Sequence, residues 1–279
     1  MKLPERIERF LNEGLAGKSD ATKRGYGYAL KSFADWLEGS GADLDTFARS
    51  DVQFYVQYLE KVKKRSASGI NRDFMAIKAF ANWQGRPDVV ADIRRTKAPS
   101  LTMKAPEWLT PSQRKQLVRD VDRSGNKRDY AIVMTLLGCG LRVSELVALN
   151  RDDVVISERK GTIIVRSGKG GKQRIVPMPS ETRRAIERYL EERTDDNEAL
   201  FLSNFRKRIS VRAVQNMLSQ YGVYPHQLRH TYVKELVDQN VPLATIMSLT
   251  GHTRAEMVAW YSTPSEQEKQ DIVEQLFLD

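Results

Sequence analysis

The sequence predicts a two-domain protein: an all-helical N-terminal domain, then a mixed α/β, mainly helical C-terminal domain with a small antiparallel sheet. Three observations support this fold class. The chain has 279 residues, and a single hydrophobic core rarely grows beyond roughly 250–300 residues. Helical periodicity runs through about the first hundred residues. Three short β-rich runs lie close together in the second half of the chain.

The N-terminal domain is expected to span residues 1–97 as a set of short amphipathic helices. In the clearest of them, apolar residues recur at helical spacing: Tyr26, Leu30, Phe33 and Leu37. Ser19 and Asp20 supply its start signal. A later helix over residues 71–83 has an apolar face and an opposite basic side. The apolar face consists of Phe74, Ile77 and Phe80, and the basic side of Arg72 and Lys78.

Residues 98–107 form the expected linker, because they combine two prolines with no apolar periodicity. The C-terminal domain, residues 108–279, follows and begins with helices. One of these is the strongly apolar segment 130–137, which Gly138 and Gly140 are expected to interrupt.

Three β-rich runs predict the small antiparallel sheet: residues 153–156, 162–166 and 173–177. The Gly-rich turn SGKGGK joins the last two runs into a hairpin. Helices return at Ser180 and continue to the end of the chain, with Ser210 and Thr253 as expected N-caps. The last of them forms a tail helix.

The charge balance indicates a polyanionic partner. The chain carries 45 Lys and Arg against 36 Asp and Glu, a formal net charge of +9, and its hydrophobic content of 41% is that of a globular protein. Charges interrupt every apolar run near the N-terminus, so these residues lack the uninterrupted apolar region of a signal peptide. Nowhere do the roughly 18 consecutive apolar residues of a membrane span occur. We therefore expect a cytoplasmic protein without a membrane partner.

Residues that hold metals or nucleotides are scarce. The chain has one cysteine and three histidines, without an HExxH motif or an acidic loop of metal-ligand spacing. The sequence GKGGK at residues 168–172 lacks the spacing, and the following Ser or Thr, of a phosphate-binding loop. We therefore expect no metal, no cofactor and no use of ATP. Cys139 is assigned to the core as a small buried hydrophobe.

Four short motifs carry the candidate chemistry: GLRVSEL with Arg142, the hairpin turn with Lys169, PHQLRHT with His226 and Arg229, and LTGH with His252, followed by Tyr261. Each motif alone is a weak signal. In this order and spacing they resemble the catalytic set of the tyrosine recombinases and integrases, Xer-type enzymes most closely. The resemblance covers most of residues 109–278 and, more loosely, the helical domain before them.

The resemblance implies a role for each matched residue. The expected catalytic set is Arg142, Lys169, His226, Arg229, His252 and the nucleophile Tyr261, with Glu145 as the acid that supports the first arginine. Two departures from the family pattern are visible. Thr250 replaces the usual Leu before Gly-His, and the tripeptide Trp-Tyr-Ser around Tyr261 replaces the commoner Ile-Tyr-Thr. Neither removes a catalytic group, so they concern the substrate more than the activity.

These residue types suit attack on a phosphodiester. Planar guanidiniums neutralise the charge that builds on nonbridging oxygens, and Arg229 lies three residues after His226 on one helical face. The phenol of Tyr261, with an ordinary pKa of roughly 10, needs cations or a base nearby. We expect His226 to be that base. Lys169 is expected to protonate the departing 5′-oxygen, with Lys172 as the competing candidate.

The remaining histidine and tyrosines of this region receive other roles. His230 is expected to order its helix rather than to touch phosphate. Tyr221, Tyr224 and Tyr232 are rival nucleophiles by residue type, but they lack the spacing from LTGH. DNA phosphates are expected to contact Arg72, Lys78 and Lys172.

The resemblance implies a SAM-like, core-binding N-terminal domain and a site-specific recombinase. Such an enzyme cleaves duplex DNA through a 3′-phosphotyrosyl intermediate and a Holliday junction, resolving dimers or cointegrates or moving a mobile element. The expected partners are DNA with inverted-repeat half-sites, a homo-tetramer on two paired sites, and an accessory protein or second recombinase. DNA relaxation of the type IB topoisomerase kind and non-catalytic DNA binding stay open as alternatives. The sequence leaves the target site and the direction of the reaction open.

Overall fold

The computed structural model describes residues 3–95, 107–166, 173–252, 255, 258, 261 and 273–274. The chain divides into two compact units, residues 1–103 and 104–279, and each has its own hydrophobic core. Of the expected linker, only Glu107 lies inside the described residues. The tail helix also lies outside them, apart from residues 273–274. None of the helices in the described ranges is both long enough and apolar enough to span a bilayer.

The N-terminal unit is helical. Its α-helices are α1 (Glu5–Glu13), α2 (Asp20–Ser40), α3 (Arg49–Lys61) and α4 (Ala67–Trp83). As predicted, α2 begins after Ser19, whose hydroxyl accepts a backbone amide hydrogen of the first turn. Aromatic rings join the helices in the core. Phe33 meets Phe47 at 5.3 Å between ring centroids, and Phe10 meets Phe80 edge-on at 5.4 Å.

Helix α4 separates an apolar face from a basic one, as the sequence predicts. It begins four residues before the predicted start, because Ser66 caps it. Its predicted apolar residues are buried: Phe74, Ile77 and Phe80. Arg72 and Lys78 are exposed. The N-terminal unit therefore presents these two cations to solvent.

The C-terminal unit is built around one buried helix. Its α-helices are α5 (Pro111–Arg123), α6 (Lys127–Cys139), α7 (Val143–Ala148), α8 (Ser180–Glu191), α9 (Val211–Ser219), α10 (Pro225–Asp238) and α11 (Leu243–Thr250). Helix α6 packs against α5, α8 and α10. Its Cys139 is fully buried, and burial raises the pKa of this thiol to about 12. The cysteine therefore belongs to the core.

The predicted interruption of α6 at Gly138 is wrong, because the helix continues through this residue to Cys139. A Cβ at Gly138 would lie 2.4 Å from Oγ1 of Thr182 on α8. The glycine therefore permits the close approach of α8 rather than ending α6. The helix does end at Gly140, which adopts the left-handed conformation with φ +58°.

The sheet has the three antiparallel strands that the sequence predicts, in the order β1 (Val154–Ile156), β2 (Gly161–Val165) and β3 (Arg174–Pro177). Ile163 pairs with Val176, and both are fully buried. Because successive side chains of a strand point to opposite faces of the sheet, one face of β2 and β3 packs against the core. The connection between these strands, residues 167–172, lies outside the described residues.

The end of α6 generates a stability prediction. A Cβ at Gly140 would lie 2.1 Å from the Tyr232 ring. We expect Gly140→Ala to lower the free energy of unfolding by roughly 2–5 kcal/mol, from left-handed strain of about 1–2 kcal/mol and overpacking of about 1–3 kcal/mol. The matched control is Gly125→Ala, at φ +69° with no atom within 4 Å. Urea unfolding measures both, and equal losses would contradict the predicted clash with Tyr232.

Candidate active site

The site is organised around the carboxylate of Glu145 in the first turn of α7. It accepts hydrogen bonds from the Arg142 backbone N–H at 2.8 Å and from Arg142 Nη1 at 2.9 Å. Arg174, the first residue of β3, donates to it from both Nη atoms at 2.9 and 2.8 Å. Burial by itself raises the pKa of this carboxyl, but the hydrogen bonds and charges of Arg174 and Arg142 outweigh it and lower the pKa to about 2. Glu145 is therefore a buried anion that fixes two guanidiniums.

The same two arginines reach the end of α11. Nη2 of Arg142 donates to the carbonyl of Gly251 at 3.1 Å, and Nε of Arg174 donates to the carbonyl of Leu249 at 3.0 Å. The Arg142 side chain retains 24% exposure, against 11% for Arg174. Arg142 can therefore present further N–H groups to a ligand, while Arg174 mainly holds β3, α7 and α11 together.

Arg229 on α10 is the most buried of the three guanidiniums. Its Nη1 donates to the carbonyl of Gly140 at 2.6 Å, and its Nη2 donates to the carbonyl of Thr250 at 2.7 Å. Burial, followed by repulsion from Arg142, lowers the pKa of Arg229 to about 10. The group is still a cation at neutral pH, held between the C-terminal ends of α6 and α11.

His252 follows Gly251, which ends α11 in the left-handed conformation. Nδ1 of His252 lies 2.8 Å from Oγ1 of Thr250, and Nε2 lies 3.4 Å from Nη2 of Arg229. Burial, with repulsion from Arg229 and Arg142, lowers the pKa of His252 to about 4. The ring is therefore neutral at physiological pH.

Tyr261 is buried, at 3% exposure, and its hydroxyl lies 2.5 Å from Nδ1 of His230. Burial raises the pKa of this phenol to about 12, with Arg229 offsetting part of the effect. Burial also lowers the pKa of His230 to about 4, helped by His226 and Arg229. The phenol is therefore protonated and the imidazole neutral, and Nδ1 accepts the phenol hydrogen in the tautomer that carries the ring hydrogen on Nε2.

His226 lies at the exposed edge of this cluster and is the most solvent-exposed of the three histidines. Its ring stacks on His230, with centroids 5.8 Å apart and an interplanar angle of 25°. Partial burial of the ring, followed by repulsion from Arg229 and Arg142, lowers the pKa of His226. The ring that is hydrogen-bonded to the Tyr261 phenol is that of His230, one helical turn further along α10.

The structure brings most of the expected site residues together: Arg142, Glu145, His226, Arg229, His252 and Tyr261. Lys169 and Lys172 lie outside the described residues. Arg72 and Lys78 belong to the other unit. In the described part of the chain, no three His, Cys, Asp or Glu side chains are grouped so that they could hold a metal ion.

Three contributors to this site were not among the catalytic residues expected from the sequence: Arg174, His230 and Thr250. Arg174 did give a signal, because it lies two residues before buried Val176 and hence on the inward face of its strand. An inward arginine requires a buried acceptor. For His230 the signal was ambiguous, because two histidines four residues apart share one helical face.

Comparison with known proteins agrees with this geometry. The family described as "Phage integrase family" matches residues 107–268, and the one described as "Phage integrase, N-terminal SAM-like domain" matches residues 7–86. Tyrosine recombinase XerA of Thermococcus kodakarensis is 34% identical over 289 residues, covering 98% of this chain and 96% of its own. Tyrosine recombinase XerC of Caldanaerobacter subterraneus subsp. tengcongensis is 30% identical over 311 residues, covering 98% and 87%.

Solved structures give the same fold. The crystal structure of XerA recombinase matches with a TM-score of 0.54 at 27% identity, covering 99% of both chains. The XerH recombinase, in a post-cleavage complex with a palindromic difH substrate, matches with a TM-score of 0.72 at 15% identity, covering 98% of this chain and 83% of its own. The chain belongs to the phage integrase family, among the Xer-type tyrosine recombinases. These are DNA strand-transferring enzymes that need neither a metal nor ATP.

The buried carboxylate generates a prediction of pH dependence. Because the folded pKa of Glu145, about 2, is below its ordinary value of 4.5, its stabilisation is complete above the ordinary pKa and is lost as the pH falls through the folded pKa. We expect Glu145→Gln to be about 3 kcal/mol less stable than the wild type at pH 7, with the difference shrinking between pH 5 and pH 2. Urea unfolding across this range measures it.

The control for this experiment is Glu187→Gln on α8, at an exposed position. We expect it to change stability by less than about 0.5 kcal/mol at every pH. A stability loss in Glu145→Gln that stayed constant down to pH 2 would assign the effect to packing rather than to the charge.

Proposed function

We propose that this enzyme is a site-specific recombinase that cleaves and rejoins duplex DNA through a 3′-phosphotyrosyl bond at Tyr261. One observation supports the proposal most strongly. The phenol, hydrogen-bonded to His230, lies in the field of Arg229, which also contacts His252. A nucleophile, a neutral acceptor for its proton and a cation for a phosphate are thus in one place.

In the proposed reaction, the oxygen of Tyr261 attacks the scissile phosphorus and the bond from phosphorus to the 5′-oxygen breaks. Arg142 and Arg229 donate to the nonbridging oxygens, for which each guanidinium retains N–H groups beyond those used within the protein. The energy of the broken bond is kept in the phosphotyrosine. Attack by a 5′-hydroxyl then reverses the step and releases the enzyme.

The phenol proton requires an acceptor, and the geometry favours His230. Its Nδ1 lies at hydrogen-bond distance from the hydroxyl, and the low pKa of the ring keeps it neutral, so Nδ1 can accept the phenol proton in the tautomer with its hydrogen on Nε2. His226, the base expected from the sequence, would need to approach the phenol from its stacked position. We therefore propose His230 as the base and retain His226 as the rival candidate.

Lys169 is proposed as the general acid that protonates the departing 5′-oxygen. The position of the two strand ends supports this proposal. Strand β3 begins at Arg174, whose guanidinium is bound to Glu145 in the site. Val165, the last residue of β2, pairs with Arg174, so the two strand ends that are joined by the residues including Lys169 and Lys172 both lie near this ion pair.

The N-terminal unit is proposed to hold the DNA by its phosphates. Arg72 and Lys78 are exposed on the side of α4 that faces away from the core, where cations can follow a phosphate backbone. Lys172 is proposed to make a similar contact from the hairpin. These contacts would position the duplex without reading its sequence.

At the level of the whole reaction, we propose a homo-tetramer on two paired sites with inverted-repeat half-sites. It would exchange strands through a Holliday junction in the cytoplasm, resolving dimers or cointegrates or moving a mobile element. The further partner that we propose is an accessory protein or a second recombinase. A plasmid with two sites tests this reaction, because recombination yields exchanged products whereas relaxation alone changes only the supercoiling.

The assignment of the nucleophile generates a prediction about covalent complexes with DNA. Tyr261→Phe should abolish covalent protein–DNA complexes while leaving DNA binding nearly intact, because the hydroxyl contributes little to a basic interface. A nicked suicide substrate on a denaturing gel measures the covalent complex, with Tyr221→Phe as control. A covalent band that persists in Tyr261→Phe would rule out this nucleophile. In the same assay, His230→Ala should slow cleavage more than His226→Ala.

The proposed general acid generates a prediction about the rate of cleavage. Lys169→Ala should slow cleavage by roughly 10²–10⁴-fold, the usual contribution of general acid catalysis. A substrate with sulfur at the 5′-bridging position should restore most of the rate, because its leaving group needs no proton. Lys172→Ala is the matched control from the same turn. Rescue of Lys172→Ala instead of Lys169→Ala would exchange the two roles.

A further inference from the structure

Thr250, where the family pattern has a leucine, makes two hydrogen bonds in the interior. It is fully buried, and its hydroxyl donates to the carbonyl of Ile246 at 2.6 Å. Its oxygen also lies 2.8 Å from Nδ1 of His252. A hydroxyl has a single hydrogen. While that hydrogen is given to Ile246, Nδ1 must carry the proton and donate it to the threonine oxygen.

The other ring nitrogen of His252 faces donors. Nη2 of Arg229 lies 3.4 Å from Nε2, and a guanidinium has no acceptor. The charges of Arg142 and Arg174 act on the same ring, and each disfavours a second proton. The resting ring is therefore neutral, with its hydrogen on Nδ1 and its lone pair on Nε2. In this form Nε2 cannot donate to a phosphate.

We propose that Thr250 is a positioning residue that selects the tautomer of His252. In the free protein its oxygen accepts from Nδ1. When a scissile phosphate lies against Nε2, the hydroxyl turns from Ile246 and donates to Nδ1. Nδ1 releases one proton to solvent and Nε2 takes up one proton from solvent. The ring therefore becomes a neutral donor to the phosphate without added charge. This second half rests on the proposed function.

The rotation of the hydroxyl costs little. The carbonyl of Ile246 keeps the helical hydrogen bond from the backbone amide four residues on, so it is not left unpaired. A neutral donor is also preferable to an imidazolium here, because three guanidiniums already surround the ring. A leucine at position 250 could neither accept from nor donate to Nδ1, so this chain has a means of control that the family pattern lacks.

The first test needs no DNA. The chain has three histidines, so protein labelled with ¹⁵N-histidine gives three ring systems, and His252→Asn identifies the one of interest. Couplings to the ring carbon protons show which nitrogen is protonated. We expect Nδ1 in the wild type and in Thr250→Ser, and loss of this single form in Thr250→Val, which has the same shape but no hydroxyl. A ring that stays fully protonated at Nδ1 in Thr250→Val would overturn the proposal.

The second test measures cleavage of a suicide substrate. We expect Thr250→Val to slow cleavage on the order of 10-fold. His252→Ala removes the donor itself, and we expect it to cause a larger loss of about 10²–10³-fold. Thr250→Ser should recover the wild-type rate. A wild-type rate in Thr250→Val, with His252→Ala slowed, refutes the switch but leaves the proposed function standing. If the wild type forms no covalent complex at Tyr261, the proposed function and the switch on DNA both fail, and the labelling result decides the resting tautomer.

Discussion

The pairing of one buried carboxylate with two guanidiniums is the constraint on which the rest of the site depends. Glu145 contacts Arg142 from its own helix start and Arg174 from β3, and both arginines continue to backbone carbonyls at the end of α11. Removing one partner of such a buried pair typically costs about 3–5 kcal/mol, because the remaining charge is left uncompensated. Three separate chain segments are therefore fixed by one anion.

The ends of two helices provide the second support. Helices α6 and α11 finish at Gly140 and Gly251 in left-handed turns, which leave their last carbonyls without partners inside the helix. Arg229 donates a hydrogen bond to one carbonyl at each helix end, those of Gly140 and Thr250. The negative ends of both helix dipoles thus face one cation. This explains how a guanidinium at 3% exposure remains charged without a carboxylate of its own.

Much of this arrangement could be predicted from the sequence, since periodicity predicted the helical unit and the three strands, and the order of the motifs predicted most of the site. The features that the sequence could not decide depend on contacts between distant segments. From the sequence, Gly138 is predicted to break the helix. Its actual role is explained only by the close approach of Thr182. His226 and His230 share one face, so spacing alone cannot decide which ring meets Tyr261. Thr250 appeared to be a neutral departure because its two partners are visible only in three dimensions.

The resting protein holds its reactive groups in unreactive forms. The Tyr261 phenol keeps its proton, and His230 and His252 are neutral among three guanidiniums. A phosphate anion entering this site would satisfy the arginines, but its charge would oppose formation of a free phenolate. In the proposed reaction, attack must therefore be accompanied by transfer of the phenol proton to a base, and the neutral His230 lies at hydrogen-bond distance from the phenol. As charge builds on the phosphate oxygens, it also stabilises the imidazolium that forms. In the proposed reaction, the arginines thus bind the phosphate and His230 accepts the proton, and neither role requires the nucleophile to be ionised before DNA binds.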